Sequence, residues 1–365
     1  MNTSQWAVVI PSNRAVSSAS LAALPPDLPV YVVEDGPVPI AVDHPGARIF
    51  TQDFQRRFMG RDFDLIPRGT AACRNFAFCY LWRETDVSFI VSLDDDVATR
   101  PGFIEAYQVL GTSGRLDTIT GSDWLNTISL FEDPPECYAR GYPYEARGET
   151  TTRLTDTTAR VVCHMGLWDR VLDTHALDKH LFGAYREEYP NLRLSRSIVR
   201  SGCDSHPMYF PFSSMNFGFV RELLPAMYQM PMRPRFADRY ALWRYDDIWT
   251  GYIAQSLATK RGDAFTAGAP IVDHQKAGDL HREMLGEHYG MLISPYLYGA
   301  VDRAMSDVKT ASYSRMYLDL IDRMLTLDQR VWSELRVPEL YRRFILELMR
   351  GLERWAALCA EAAST

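Results

Sequence analysis

Long apolar runs are missing from this 365-residue chain, and none approaches the ~20 residues that a membrane-crossing helix needs. Met1 to Val9 carry no basic stretch followed by an apolar core, so no secretory signal is expected. These absences point to a soluble chain with no membrane span, and to the cytoplasm as its location. Positive charge is also in short supply. Against 46 Asp and Glu stand 39 Lys and Arg, leaving a net charge of −7. A nucleic-acid binder rests its affinity on neutralising phosphates, so none is expected as a partner. A phosphorylated small molecule stays within reach, because a bound divalent metal reverses the local field. The six cysteines (Cys73, Cys79, Cys137, Cys163, Cys203, Cys359) form no CxxC pair, which argues against a disulfide framework or a zinc site. No GxGxxG run occurs, so neither a flavin nor NAD is expected as a cofactor.

What is present is enough apolar material, 47% of residues, for a large core. Trp6 to Ile10 and Val30 to Val33 read as strands, each running into a turn: Pro11-Ser12-Asn13 and Glu34-Asp35-Gly36. Thr70 to Trp82 reads as a helix, and Val87 to Leu93 as a β-branched strand leading straight into Asp94-Asp95-Asp96. Pro101-Gly102 opens a further helical stretch. Strands alternating with helices predict an α/β fold with a mostly parallel sheet flanked by helices. Phe131 to Ser205 reads as loop-rich, with Leu192 to Arg200 as a mobile insertion. Trp243 to Ala258 reads as a helix and Pro270 to Val272 as a strand. Helical apolar spacing then returns from about Ser306 to Ala363.

Three carboxylates in a row at a strand's end repel one another unless something positive gathers them. A hard divalent ion, Mn²⁺ or Mg²⁺, does so through oxygen ligands. A solvated acidic turn is the competing reading, and the preceding strand shifts the balance toward metal. Asp35 stands where an acidic residue can accept hydrogen bonds from ribose or a base, although Asp-Gly is also plain turn chemistry. Asp246 and Asp247 follow Arg244-Tyr245. They suit a general base or a sugar-hydroxyl acceptor, and equally the first turn of a helix. His274 could complete a metal shell and Lys276 could meet a diphosphate. A His after a strand is nonetheless often structural. Arg140 and Arg147 lie in a Gly/Pro loop among tyrosines, where guanidinium forks suit phosphates. Ordinary surface arginines are the competing reading.

Seven segments, in order, resemble the reversibly glycosylated polypeptides, the UDP-arabinopyranose mutases. They are Ala72-Cys-Arg-Asn-Phe76, Ser92 to Val97, Ala139 to Arg147, His164-Met-Gly-Leu-Trp168, Phe210 to Phe219, Arg244 to Trp249 and Asp273 to Ala277. The resemblance covers roughly Trp6 to Gly290 and implies a GT-A-like, Rossmann-like fold. It makes residues 1–290 the catalytic domain and 291–365 a helical extension packed on it. It implies a metal-dependent, flavin-free interconversion of pyranose and furanose forms of a UDP-linked sugar. Arg140 then becomes reversibly glycosylated and Arg147 is also needed, with Asp246 or Asp247 orienting or deprotonating Arg140. Nucleotide-sugar contacts fall to Asp35, Arg74, Asp94, Asp95, Trp168, Asn216 and Lys276. Metal ligation falls to Asp94, Asp96 and His274. Three stretches depart from the family's pattern near the expected sugar pocket: Phe212-Ser-Ser-Met-Asn216 replaces Met-Cys-Gly-Met-Asn, Gly166-Leu-Trp-Asp-Arg170 replaces Gly-Leu-Trp-Leu-Asn, and Lys179 to His206 is longer and more basic than its counterpart. Rival readings are a glycosyltransferase with a separate acceptor and a non-catalytic nucleotide-sugar binder. The tail could support a homo-oligomer.

Overall fold

Apolar β-branched runs form the strands that carry the site. The computed structural model describes residues 2–16, 18–148, 151–182, 188–203, 205–232, 242–275 and 278–362. Its strands are β1 (Trp6–Ser12), β2 (Val30–Glu34), β3 (Ala47–Phe50), β4 (Phe89–Leu93), β5 (Val97–Ala98), β6 (Ser113–Thr120), β7 (Arg153–Arg170), β8 (Ile198–Ser201), β9 (Asn216–Val220) and β10 (Ala264–His274). The helices are α1 (Ser18–Leu21), α2 (Gln52–Met59), α3 (Asn75–Glu84), α4 (Phe103–Ala106), α5 (Ala176–Phe182), α6 (Asp246–Arg261), α7 (Leu280–Met305), α8 (Tyr313–Leu325), α9 (Gln329–Glu334) and α10 (Glu339–Ala362). No helix among the described residues is long and apolar enough to cross a membrane.

The sheet runs β3-β2-β1-β4-β9-β7-β6-β8-β10-β5. Its first four strands are parallel, as the alternating strand and helix pattern predicts. Antiparallel pairings enter at β9, and β7 also pairs with β10 in parallel. Chain order reverses between β1 and β4, and at such a switch point the loops diverge and leave a crevice at the carboxyl ends of the strands. Ile90, Val91 and Leu93 of β4 are fully buried. Each such apolar side chain contributes about 1.5–3 kcal/mol and fixes where Asp94 emerges.

Two expectations need correction. The loop-rich stretch from Phe131 to Ser205 also holds the 18-residue β7 and β8, neither of which the sequence reading placed there. The exposed first half of β7 is polar and Thr-rich, and only its second half is a buried apolar run, so its length is masked in the sequence. Nor is Leu192 to Arg200 a free insertion. Arg193 O accepts from Glu132 N at 2.9 Å, Ser195 N donates to Leu130 O at 2.9 Å, and Ile198 onward joins the sheet.

The C-terminal helices pack on the body through aromatic anchors. Trp355 stacks on Tyr228 at 4.6 Å, and Trp82 Nε1 donates to Cys359 O at 2.8 Å. Helix α7 runs through residue 290, so the expected boundary there falls inside a continuous helix.

Candidate functional site

The carboxyl ends of β1, β2 and β4 bring three acidic positions together with arginines. Buried Arg74 donates from Nη1 to Ser92 Oγ at 2.6 Å and to Ser214 O at 2.7 Å, and from Nη2 to Asp94. Burial, opposed by Arg74 and reinforced by Asp96, pushes Asp94 up to about 7. Asp95 accepts from Ser12 Oγ and from Arg14, whose Nη2 also lies 3.4 Å from Asp96. Arg74 and Arg14 thus offset part of the triplet's charge. Asp35 pairs with Arg68 at 2.8 Å and accepts from Gly69 N at 2.6 Å. Burial nevertheless holds its pKa above the ordinary value.

Strand β10 delivers His274 to the same edge. Its Nδ1 lies 2.6 Å from Val171 O, and because a carbonyl only accepts, the ring proton sits there. Nε2 is then the lone-pair nitrogen. Gln275 N donates to Asp96 O at 3.1 Å, tying the end of β10 to the triplet.

Opposite stands Arg140. Gly141 at φ +89° turns the chain just after it, where a Cβ would sit 2.7 Å from Ile248 Cδ1. The Arg140 guanidinium is buried between two carboxylates. Nε and Nη2 bond Asp173 at 2.7 and 3.0 Å, and Nη2 and Nη1 bond Asp247 at 2.9 and 3.3 Å. Nη1 also donates to Arg244 O. Arg244 has φ +67°, a conformation that costs a non-glycine residue about 1 kcal/mol or more and here aims its carbonyl at Arg140. All five N–H groups of Arg140 therefore have acceptors. Burial alone would lower its pKa, but Asp173 and Asp247 outweigh that and hold it well above its ordinary value. Asp173 is held well below the usual carboxylate range, because Arg140 outweighs burial there.

An outer ring of charge supports this clamp. Arg244 reaches Glu287 at 2.9 Å and Glu283 at 3.1 Å, and Lys179 lies 3.6 Å from Glu283. Burial opposes ionisation of Glu287, but His175 and Arg244 bring it down to about 2. His175 Nε2 accepts from Gly141 N at 3.0 Å. Ser213 and Ser214 join the two halves of the site. Ser213 Oγ donates to Asp173 at 3.1 Å, Ser214 N donates to Asp247 at 3.1 Å, and Ser214 O accepts from Arg74.

Between the halves is a cavity of about 200 Å³. Asp94, Asp96, Arg140, Asp247 and His274, each singled out from the sequence, line it. Asp173, Lys179, Ser213, Met215, Arg244 and Glu283 also line it, and none of these was among the site residues named from the sequence. His175 props the arginine loop.

Other expected residues stand elsewhere. Asp35, Arg74 and Asp95 support the edge without lining the cavity. Asp246 is buried beside Asp247, and burial followed by that neighbour pushes it up to about 6. Arg147 grips Asp178 through Nη1 and Nη2 at 2.9 and 2.7 Å and lies outside the cavity lining. Trp168 is buried within β7, and its indole N–H has no partner among the described residues. Buried Asn216 spends its amide on Leu167 O and Pro270 O, both at 3.0 Å, and accepts from Tyr107. It braces the sheet. Lys276 lies outside the described residues.

No group of three His, Cys, Asp or Glu among the described residues forms a ready-made metal cluster. The donor chemistry still suits a hard divalent ion. Asp94 and Asp96 are mutually repelling carboxylates facing a cavity, and His274 turns Nε2 away from its Val171 contact beside them.

Sites at the carboxyl edge of parallel strands, where loops part, mark α/β proteins that bind small ligands. Comparison with known proteins is more specific. The model described as "Reversibly glycosylated polypeptide" matches residues 28–320, and the chain belongs to that family. It is 26% identical over 269 residues to "Probable UDP-arabinopyranose mutase 4" of Arabidopsis thaliana, covering 72% of this chain and 67% of that protein. It is 24% identical over 300 residues to "Probable UDP-arabinopyranose mutase 1" of Pisum sativum, covering 80% of this chain and 75% of the other. Among solved structures it is distantly similar to glucosyl-3-phosphoglycerate synthase from Mycobacterium tuberculosis, at 13% identity and a TM-score of 0.36. That likeness covers 79% of this chain and 77% of the other.

Proposed function

We propose that this chain is a GT-A-like nucleotide-sugar mutase, interconverting pyranose and furanose forms of a UDP-linked sugar with a divalent metal and without flavin or NAD. The observation that carries the reading is the placement of the Arg140 clamp across one small cavity from Asp94, Asp96 and His274. Asp94, Asp96 and His274 would hold the metal, which when bound supplies positive charge beside the leaving diphosphate.

The chain's own residues do the rest. Arg140, locked by Asp173 and Asp247, presents fixed positive charge to a ligand in the cavity. Asp247 and Asp173 also stand at hydrogen-bond distance from its nitrogens. A glycosyl-arginine requires the anomeric C–O bond to diphosphate to break as an N–C bond forms. The displaced Nη proton then goes to one of these carboxylates. The same carboxylates stabilise the guanidinium, so the step runs against its resting state. Ring opening and closure through a different hydroxyl, followed by return of the sugar to the retained diphosphate, completes the cycle.

One observation favours the transferase alternative. With every Arg140 N–H already bonded, the guanidinium is built as a clamp, a role that needs no covalent intermediate. The test is incubation with UDP-sugars and Mn²⁺ or Mg²⁺, with products read by NMR. A new furanose nucleotide sugar, lost in Asp96→Asn and Arg140→Lys, supports the mutase. Release of UDP with the sugar moved to another acceptor or to water, and no isomerised nucleotide sugar, overturns it in favour of the transferase.

A further inference from the structure

Further along α6 a second cavity of about 680 Å³ opens between that helix, α7 and the segments around Trp124 and Tyr209. Its size falls within the ~300–1,000 Å³ of small-molecule sites. It shares no lining residue with the Asp94–Arg140 cavity. Past Tyr209, Lys260 and Met305 it continues into a depression of about 440 Å³.

Four rings from separate segments build its wall. Tyr252 stacks on Tyr298 at 4.1 Å between centroids, and lies 4.5 Å from Tyr209 and 5.8 Å from Trp124. Trp124 and Tyr209 are only half buried, so ring surface remains open at the cavity. Rings packed this closely make a continuous wall. A ligand with a flat apolar face can lie along such a wall, whereas a compact cation is better served by rings spread around it.

Polar groups border the rings. Asp302 accepts from the Tyr252 hydroxyl at 2.7 Å, Asp123 is exposed, and Lys260 Nζ donates to Ser306 O at 3.2 Å with protons to spare. Tyr298 lines the cavity and is only 7% exposed as a residue, with its hydroxyl buried near Ser294. An apolar wall edged by carboxylates and an ammonium matches a ring with a C–H face and a hydroxyl edge.

We propose that this cavity is a second binding site that takes a neutral saccharide, its ring against Trp124 and Tyr209 and its hydroxyls bonded to Asp123, Asp302 and Lys260. The adjoining depression gives room for more than one sugar unit. The site does not depend on the mutase reading, because no residue of the first cavity takes part.

The experiment is saturation-transfer NMR on the full chain with methyl arabinoside, methyl glucoside, cellobiose and xylobiose, and with tetramethylammonium as the cationic probe. At least one saccharide is expected to bind saturably in the millimolar range. Trp124→Leu and Asp123→Asn should each weaken it about tenfold, while Trp124→Phe keeps most of the affinity. Unchanged melting temperatures in Asp123→Asn and Trp124→Phe keep the result readable if Trp124→Leu is unstable. The proposal fails if no saccharide saturates, if binding survives Asp123→Asn and Trp124→Leu intact, or if tetramethylammonium alone depends on these residues.

Discussion

Arg140 and Arg147 sit on one short loop, seven positions apart, yet the fold treats them differently. Arg140 is buried between two carboxylates and a strained carbonyl, with every donor used, and it lines the cavity. Arg147 is bound to the single carboxylate of Asp178, with the Tyr144 ring 3.7 Å and the Tyr138 ring 4.6 Å from its guanidinium carbon. Its Nε has no hydrogen-bond partner among the described residues. The lesson is that two guanidinium groups can share a motif and differ in task. One carries charge into the site, and the other fastens the loop that holds the first.

The sharpest way to break this comparison is a pair of lysine substitutions. Lysine keeps the charge but cannot span two carboxylates. Arg140→Lys should lower kcat/KM for the nucleotide sugar by about 10²–10³, whereas Arg147→Lys should stay within about tenfold of wild type. Equal losses would mean that both arginines act in the cavity.

Asp173→Asn comes next, because it removes the Arg140 partner that sequence reasoning missed. Breaking a buried ion pair costs about 3–5 kcal/mol; the second carboxylate and the retained amide oxygen should reduce this to about 2–3. A lowered urea midpoint with an unchanged m-value is the expected reading. A midpoint equal to wild type would show that Asp247 alone suffices to hold the guanidinium.

These contrasts also mark what could be read from the sequence. The triplet was legible because β4 is a short apolar run with acids at its end. Asp247 was legible because an acidic pair opens a helix. Asp173 and Glu283 were not, since isolated acids have no local signature. They acquire roles only when β7, α5 and α7 bring them to the arginine loop. Asn216 and Trp168 were drawn toward the ligand by their motifs. The sheet instead takes both into its interior, one as a hydrogen-bonded brace. The parallel half of the sheet followed from strand and helix alternation. The β6–β7 pairing lay hidden because its exposed portion is polar.

On the carboxylate side, pH separates metal binding from folding. Asp94 is raised to about 7, so the folded state holds its proton across a range in which the unfolded chain has lost it. Stability therefore falls as pH rises from about 4 through 7. With part of the side chain in solvent, the loss should be on the order of 1–2 kcal/mol. Asp94→Asn should remove that slope and melt above wild type at pH 8, with the two converging below about pH 4. Mn²⁺ should raise the wild-type melting temperature at pH 8 more than at pH 5.5, since the ion requires the ionised carboxylates. A metal effect equal in wild type and Asp94→Asn would remove Asp94 from the ligand set.

The smallest effect belongs to the loop anchor. Tyr144 donates its hydroxyl to Asp178 Oδ1 at 2.9 Å while its ring lies against Arg147. Tyr144→Phe keeps the ring and removes the donor. Asp178 still receives two hydrogen bonds from Arg147, so the cost should be about 0.5–1.5 kcal/mol. If Arg147 serves only to fasten the loop, activity per folded molecule should remain within twofold, measured beside the melting curve, and KM should not change. A selective rise in KM would instead mean that the Tyr144–Arg147–Asp178 cluster reaches the sugar, and the division of labour between the two arginines would have to be withdrawn.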